Sequence, residues 1–186
     1  MIVDSNGSDR IVFEHGEHVW KVARTQPVRA GRELVRVASS YGMRNAEKTL
    51  RMNADVYQSP RWELAHGLVA NRREHRLAVN YPDLVIATTS LAGGIINKQR
   101  KVRTLDSFEG SRDCILNAFR GSVGIRIPIL GHMLEQASNF GIDPDDGAVK
   151  FVDGGSRGLE QMLEEEKRGR DIQLALENVR AILNEG

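Results

Sequence analysis

A single cysteine, Cys114, stands in 186 residues, so no internal disulfide forms and no disulfide-stapled secreted scaffold is indicated. A reducing, cytoplasmic setting is the default expectation. Aromatic residues make up only 5% of the chain, which argues against base stacking as the main mode of any nucleic-acid contact. No apolar run approaches the roughly 18 residues that a bilayer-spanning helix needs. The longest, Leu84 to Ile96, is interrupted by Thr88, Thr89, Ser90, Gly93 and Gly94, so no membrane partner is expected. The opening residues MIVDSNGSD carry acid and no apolar h-region, and do not read as a signal peptide. Internal repeats and low-complexity tracts are also missing.

What is present fits one globular domain with a real core. Apolar residues are 40% and charged residues 27% of the chain, which argues against disorder. The formal net charge of +1 is unevenly distributed. Met1 to Val19 holds one base against four acids, Trp20 to Ile125 holds 18 bases against 9 acids, and Arg126 to Gly186 holds 7 against 12. The expected organisation over 1–186 is therefore a hairpin arm (1–25), a basic helical core (26–141) and an acidic strand-loop-helix (142–186). Such polarity bears on partners rather than on fold. A basic middle can hold an anionic polymer, or dock on the acidic end of the same or a neighbouring chain.

Patterning predicts a mainly α protein: a bundle of about seven helices with an N-terminal β-hairpin and one further short strand candidate. Ile11 to Arg24 reads as two strands turning at His15-Gly16-Glu17. Pro27 opens a helix with Leu34, Val37, Ala38 and Tyr41 on one stripe, stopped by Gly42. A second helix is expected from Arg44 to Tyr57, and a third after Ser59-Pro60. Leu84 to Ile96 reads as strand or buried helix, with Pro82-Asp83 favouring helix. Asn97 to Arg103 reads as a basic linker. Asp106 and Glu109 form a D-x-x-E box at a helix start. Ile127-Pro128 begins a helix closed by Gly141, Ala148 to Val152 is the strand candidate, and Ser156 caps one last helix to about Leu183.

Motifs that carry chemistry are few. Gly154-Gly155-Ser156-Arg157-Gly158 fits G-x-S-x-G between a predicted strand and helix. An α/β-hydrolase elbow also needs a many-stranded parallel sheet and a histidine after the serine, yet the last histidine is His132. The loop reads first as a serine cap, and second as an anion-binding candidate through Gly155, Ser156 and Arg157. Glu63 and His66 match the E-x-x-H of di-iron bundles, but His132 to Glu135 runs in reverse order, so no metal is expected. His15 and His18 read as surface histidines, and Cys114 as an inert buried thiol. No cofactor is indicated. Thr88-Thr89-Ser90 and Glu164-Glu165-Glu166 superficially resemble the S-T-S and E-x-E elements of arginine-dependent ADP-ribosyltransferases, but three glutamates among Glu160, Lys167 and Arg168 read as a solvated helix face.

The basic constellation is broader. Arg44, Lys48 and Arg51 share one helix face by spacing. Arg72, Arg73 and Arg76 end the third helix, where cations complement the macrodipole. That reason does not extend to Lys98, Arg100, Lys101 and Arg103, crowded in one linker. These ten residues are the candidate nucleic-acid contacts, directed at phosphates and independent of base sequence. Ile172, Leu176, Val179 and Leu183 fall at 4-3-4 spacing, a seam for a partner helix or for the core. The leading expectation is a non-enzymatic assembly protein that self-associates and binds nucleic acid. A small enzyme or effector using the Gly154–Gly158 loop, and a protein-interaction module using the C-terminal helix, stay open beside it.

Overall fold

The computed structural model describes residues 3–4, 10–25, 27–42, 44, 60–121 and 133–185. They group into two compact units that alternate along the chain. The first is Met1–Arg72 with Thr89–Lys98, and the second is Arg73–Thr88 with Gln99–Gly186.

The first unit is organised by a five-stranded sheet of order β1-β2-β3-β5-β4. Its strands are β1 (Val3–Asp4), β2 (Arg10–His15), β3 (His18–Ala23), β4 (Thr88–Leu91) and β5 (Ile96–Arg100), the last two reaching one or two residues into the second unit. β2 and β3 are the expected hairpin, antiparallel, with Phe13 opposite Trp20 and His15 opposite His18. Helix α1 (Pro27–Tyr41) follows the hairpin, and α2 (Pro60–Asn80) supplies this unit up to Arg72. Asn71 of α2 is fully buried. Its Nδ2 donates to the carbonyls of Lys21 (3.1 Å) and Gly94 (3.0 Å), and its own carbonyl accepts from Asn97 Nδ2 (2.8 Å). Neutral amides thus satisfy backbone carbonyls of β3, of the β4–β5 turn and of α2 without the cost of burying a charge. The turn between β4 and β5 needs glycine: Gly94 has φ +97°, and a Cβ there would stand 2.5 Å from Arg72 Cγ.

The second unit carries the apolar core. Its strands β6 (Arg103–Thr104), β7 (Phe140–Ile142) and β8 (Val149–Phe151) form an antiparallel sheet. Its helices are the end of α2, α3 (Ser111–Gly121), α4 (Arg157–Leu163) and α5 (Glu166–Glu185). Phe140 and Phe151 face each other across β7 and β8, with ring centroids 4.9 Å apart. Phe119 of α3 meets both edge-on at 6.0 and 6.4 Å, an arrangement aromatic quadrupoles favour. Val85 bridges Phe151 in parallel, so the segment after α2 joins the same core.

The expectation of a seven-helix, mainly α bundle is corrected: the fold mixes α-helices with two antiparallel sheets. The physical reason lies in what the strands bury. In β5 the buried alternate residues are Asn97 and Gln99, so a period of two is present but written in amides, and the segment reads as a polar linker. Leu84 to Ile96 is neither helix nor one strand; it holds a turn, the Val85 bridge, β4 and a 3-10 turn. Ala148 to Val152 does contain a strand, β8, which pairs with β7. The last helix is two, α4 and α5, broken at Glu164-Glu165. Gly141 lies in β7 rather than closing a helix, and the strand needs a glycine there because a Cβ would meet Val102 Cγ2 at 2.5 Å. The helix expected over 44–57 and the start of the one expected from Ile127 fall outside the described residues, Arg44 apart.

Candidate nucleic-acid interface

The ten candidate cations have different fates. Within the second unit, Arg73 is 5% exposed and turned inward. Its Nε donates to Glu160 Oε2 (2.8 Å) and its Nη1 to the Gly155 carbonyl (3.0 Å). Arg76 reaches the other oxygen of Glu160, although its side chain stays 59% exposed. Two cations therefore neutralise one buried carboxylate and fasten the end of α2 to the Gly154–Gly158 loop. A buried guanidinium in this setting is a folding element, and Arg73 is removed from the candidate contacts.

The run from Arg100 to Arg103 is oriented differently. Arg100, Lys101 and Arg103 are all exposed. Arg100 pairs with Asp145, itself exposed. Arg103 lies over the Phe108 ring, 3.9 Å from its centroid, and donates from Nε to Ser107 Oγ (3.4 Å). Its remaining guanidinium donors suit a planar phosphate contact. Arg112 and Arg120, at the two ends of α3, are exposed as well.

In the first unit, Arg72 Nε donates to the Gly93 carbonyl (2.6 Å), and Lys98 lies with Nζ 5.5 Å from the Trp20 ring centroid. Arg44 is exposed, whereas Lys48 and Arg51 lie outside the described residues. Phe13 and Trp20 are parallel within 4°, with centroids 6.2 Å apart. Phe13, Trp20 and Lys98 thus line up across the adjacent strands β2, β3 and β5, each partly exposed. Sequence reasoning passed over this row because it weighed aromatic content over the whole chain. The signal was local: Phe13 and Trp20 are equidistant from the two-residue turn Gly16-Glu17 and so fall opposite one another.

The Gly154–Gly158 loop is occupied by its own chain. Ser156 Oγ caps α4 by accepting from Leu159 N (3.5 Å), Gly155 N donates to Asp153 Oδ1 (3.1 Å), and Gly155 is buried. Only Arg157 of the three anion-binding candidates is exposed. The seam residues Ile172, Leu176 and Val179 are buried in the second unit's core, with Leu183 packed against it, so this stripe faces inward. Burial pushes the Cys114 thiol up, away from the reactive thiolate. Among the described residues no three His, Cys, Asp or Glu side chains are grouped to hold a metal ion. Nor is any helix among them long and apolar enough to cross a membrane. Glu164 to Glu166 are exposed.

A cavity of about 240 Å³ opens in the second unit over Leu84, Val149 and Leu176. Asp83, Asp146 and Glu177 sit on its wall with Arg180. Three carboxylates against one guanidinium make it a poor seat for an anion. Lys150, held by Asp143 (2.7 Å) and Asp146 (2.8 Å), belongs to the same acidic turn. Burial alone would lower the Lys150 pKa, but the hydrogen bonds that its ammonium donates to both carboxylates outweigh it and raise it. The hydrogen bond from Lys150 in turn holds Asp146 below the usual carboxylate range.

No protein-family model matches this chain, and no curated protein or solved structure matches it either.

Proposed function

We propose that this protein is a non-catalytic, self-associating subunit that binds nucleic acid through phosphate contacts. The observation that carries the reading is the outward placement of Arg100, Lys101 and Arg103, three exposed cations within four residues on a strand-loop-strand segment. Opposite-sign surfaces on one chain, a basic middle and an acidic C-terminal part, favour head-to-tail association of copies. The contact set is smaller than the sequence suggests, since Arg73 is buried and Arg76 and Arg100 share their charge with carboxylates.

A salt titration with single- and double-stranded nucleic acid tests the reading. Changing Arg100, Lys101 and Arg103 together to Ala should weaken both complexes alike and flatten the salt slope by roughly one for each phosphate-bound cation removed. Absence of affinity at low salt in the unaltered protein would overturn the proposal. Light scattering across a concentration series should show species larger than one chain; a monomer throughout removes the self-association half.

A further inference from the structure

From the row Phe13–Trp20–Lys98 we infer a stacking site for the bases of a single-stranded nucleic acid on the first unit's sheet. The inference rests on the nucleic-acid reading above and names the ligand form that this surface selects. Strand alternation separates the two sides of the sheet. Lys21 and Asn97, next to Trp20 and Lys98 in sequence, are buried, and Asn97 bonds to Asn71 on α2. Phe13, Trp20 and Lys98 therefore occupy the opposite side, where each retains surface.

Three properties of this side fit nucleobases. Two parallel rings offer flat π-faces, which every base stacks on without regard to sequence. The cation over Trp20 is a flexible lysine, in cation–π contact with the face a base would take. A base displacing it leaves the ammonium beside the adjoining phosphate, so one side chain covers the ring when empty and neutralises charge when filled. Finally, no Asp or Glu occupies the strand positions on this side of β2, β3 or β5; His15 and His18 lie there, and Glu14 alternates to the other. At these described strand positions a polyanion meets no like charge. A duplex keeps its bases stacked inside and presents no π-face to the rings, so the site selects single strands.

The experiment uses the full chain with Trp62→Phe, leaving Trp20 as the sole indole. It is titrated with an oligothymidylate, with an abasic strand of equal length and charge, and with a duplex. Thymidylate should quench Trp20 emission and bind about 5- to 150-fold more tightly than the abasic strand. With no indole left in Trp20 variants, their affinities are read from the anisotropy of fluorescein-labelled strands: Trp20→Leu should erase the preference for thymidylate over the abasic strand, and Trp20→Phe, which keeps a ring, should retain most of it. Lys98→Met should lower the salt slope by roughly one. Far-UV circular dichroism of each variant confirms the fold. Equal binding of both single strands with Trp20 emission unmoved would overturn the stacking site and leave the phosphate reading standing. Failure of every strand to bind at low salt would remove the phosphate reading and this site together. Trp20 emission that shifts with protein concentration alone also overturns it, since a second copy would then cover the ring.

Discussion

The two units solve the same problem, seating one helix, with opposite chemistry. Asn71 and Arg73 lie two residues apart on α2. Asn71 enters the first unit as a neutral amide bonded to backbone carbonyls, and Arg73 enters the second as a buried cation bonded to Glu160 and the Gly155 carbonyl. The difference extends outward. In the second unit Arg73, Arg76, Arg100 and Lys150 all meet carboxylates. In the first, Arg72 meets a carbonyl and Lys98 a ring, while in the second Arg103 alone of the cations described above lies over a ring. Sequence shows a basic middle; structure separates a cation bonded to a buried carboxylate, which serves folding, from a cation resting on a ring.

The largest way to test that contrast is Glu160→Ala. It leaves Arg73 buried without its carboxylate, and a loss of about 3–5 kcal/mol is expected in urea denaturation. Both tryptophans belong to the first unit, so their emission reports that unit, while circular dichroism reports the helices of both. The circular-dichroism midpoint should fall further than the tryptophan midpoint; equal shifts would break the comparison. Next in size, Asn71→Ala removes the donor to the Lys21 and Gly94 carbonyls and should cost about 1–3 kcal/mol, with the tryptophan midpoint moving more. Adding salt should leave this variant's deficit unchanged, because no charge has been removed.

The smallest effect concerns pH. Asp146 lies below its ordinary value of 3.8, so its contribution is complete above that pH and is lost as pH falls through the lowered pKa. Lys150 lies above 10.5, so its contribution is complete below that pH and is lost as pH rises through the raised pKa. Lys150→Met should flatten stability at both extremes. At neutral pH the Asp146 pair should contribute less than about 1 kcal/mol, because that carboxylate is half-exposed and screened.

Legibility in the sequence followed the same division. The hairpin, the starts of α1 and α2 at Pro27 and Pro60, and the Ser156 cap were readable because turn and capping residues act locally. β5 was not, since Asn97 and Gln99 take the positions where apolar residues normally announce a strand. β6 and β7, two and three residues long, are too short to show a period at all. At the candidate interface, the exposed run from Arg100 to Arg103 was found by charge density alone. The inward turn of Arg73 was not, because Glu160 lies 87 residues away and only tertiary structure brings it near.

The alternation of the two units along the chain has a consequence for synthesis. Residues 73–88 emerge before the Thr89–Lys98 segment that completes the first unit, while their partners in the second begin only at Gln99. Leu77, Leu84 and Val85 therefore wait, apolar and uncovered, until Phe140, Phe151 and α5 have been made. A nascent chain halted near residue 98 contains all of the first unit, but it also carries the opening strip of the second unit's core. No single cut yields either unit free of the other's residues, and a gene fragment meant to isolate one must rejoin segments that the ribosome delivers apart.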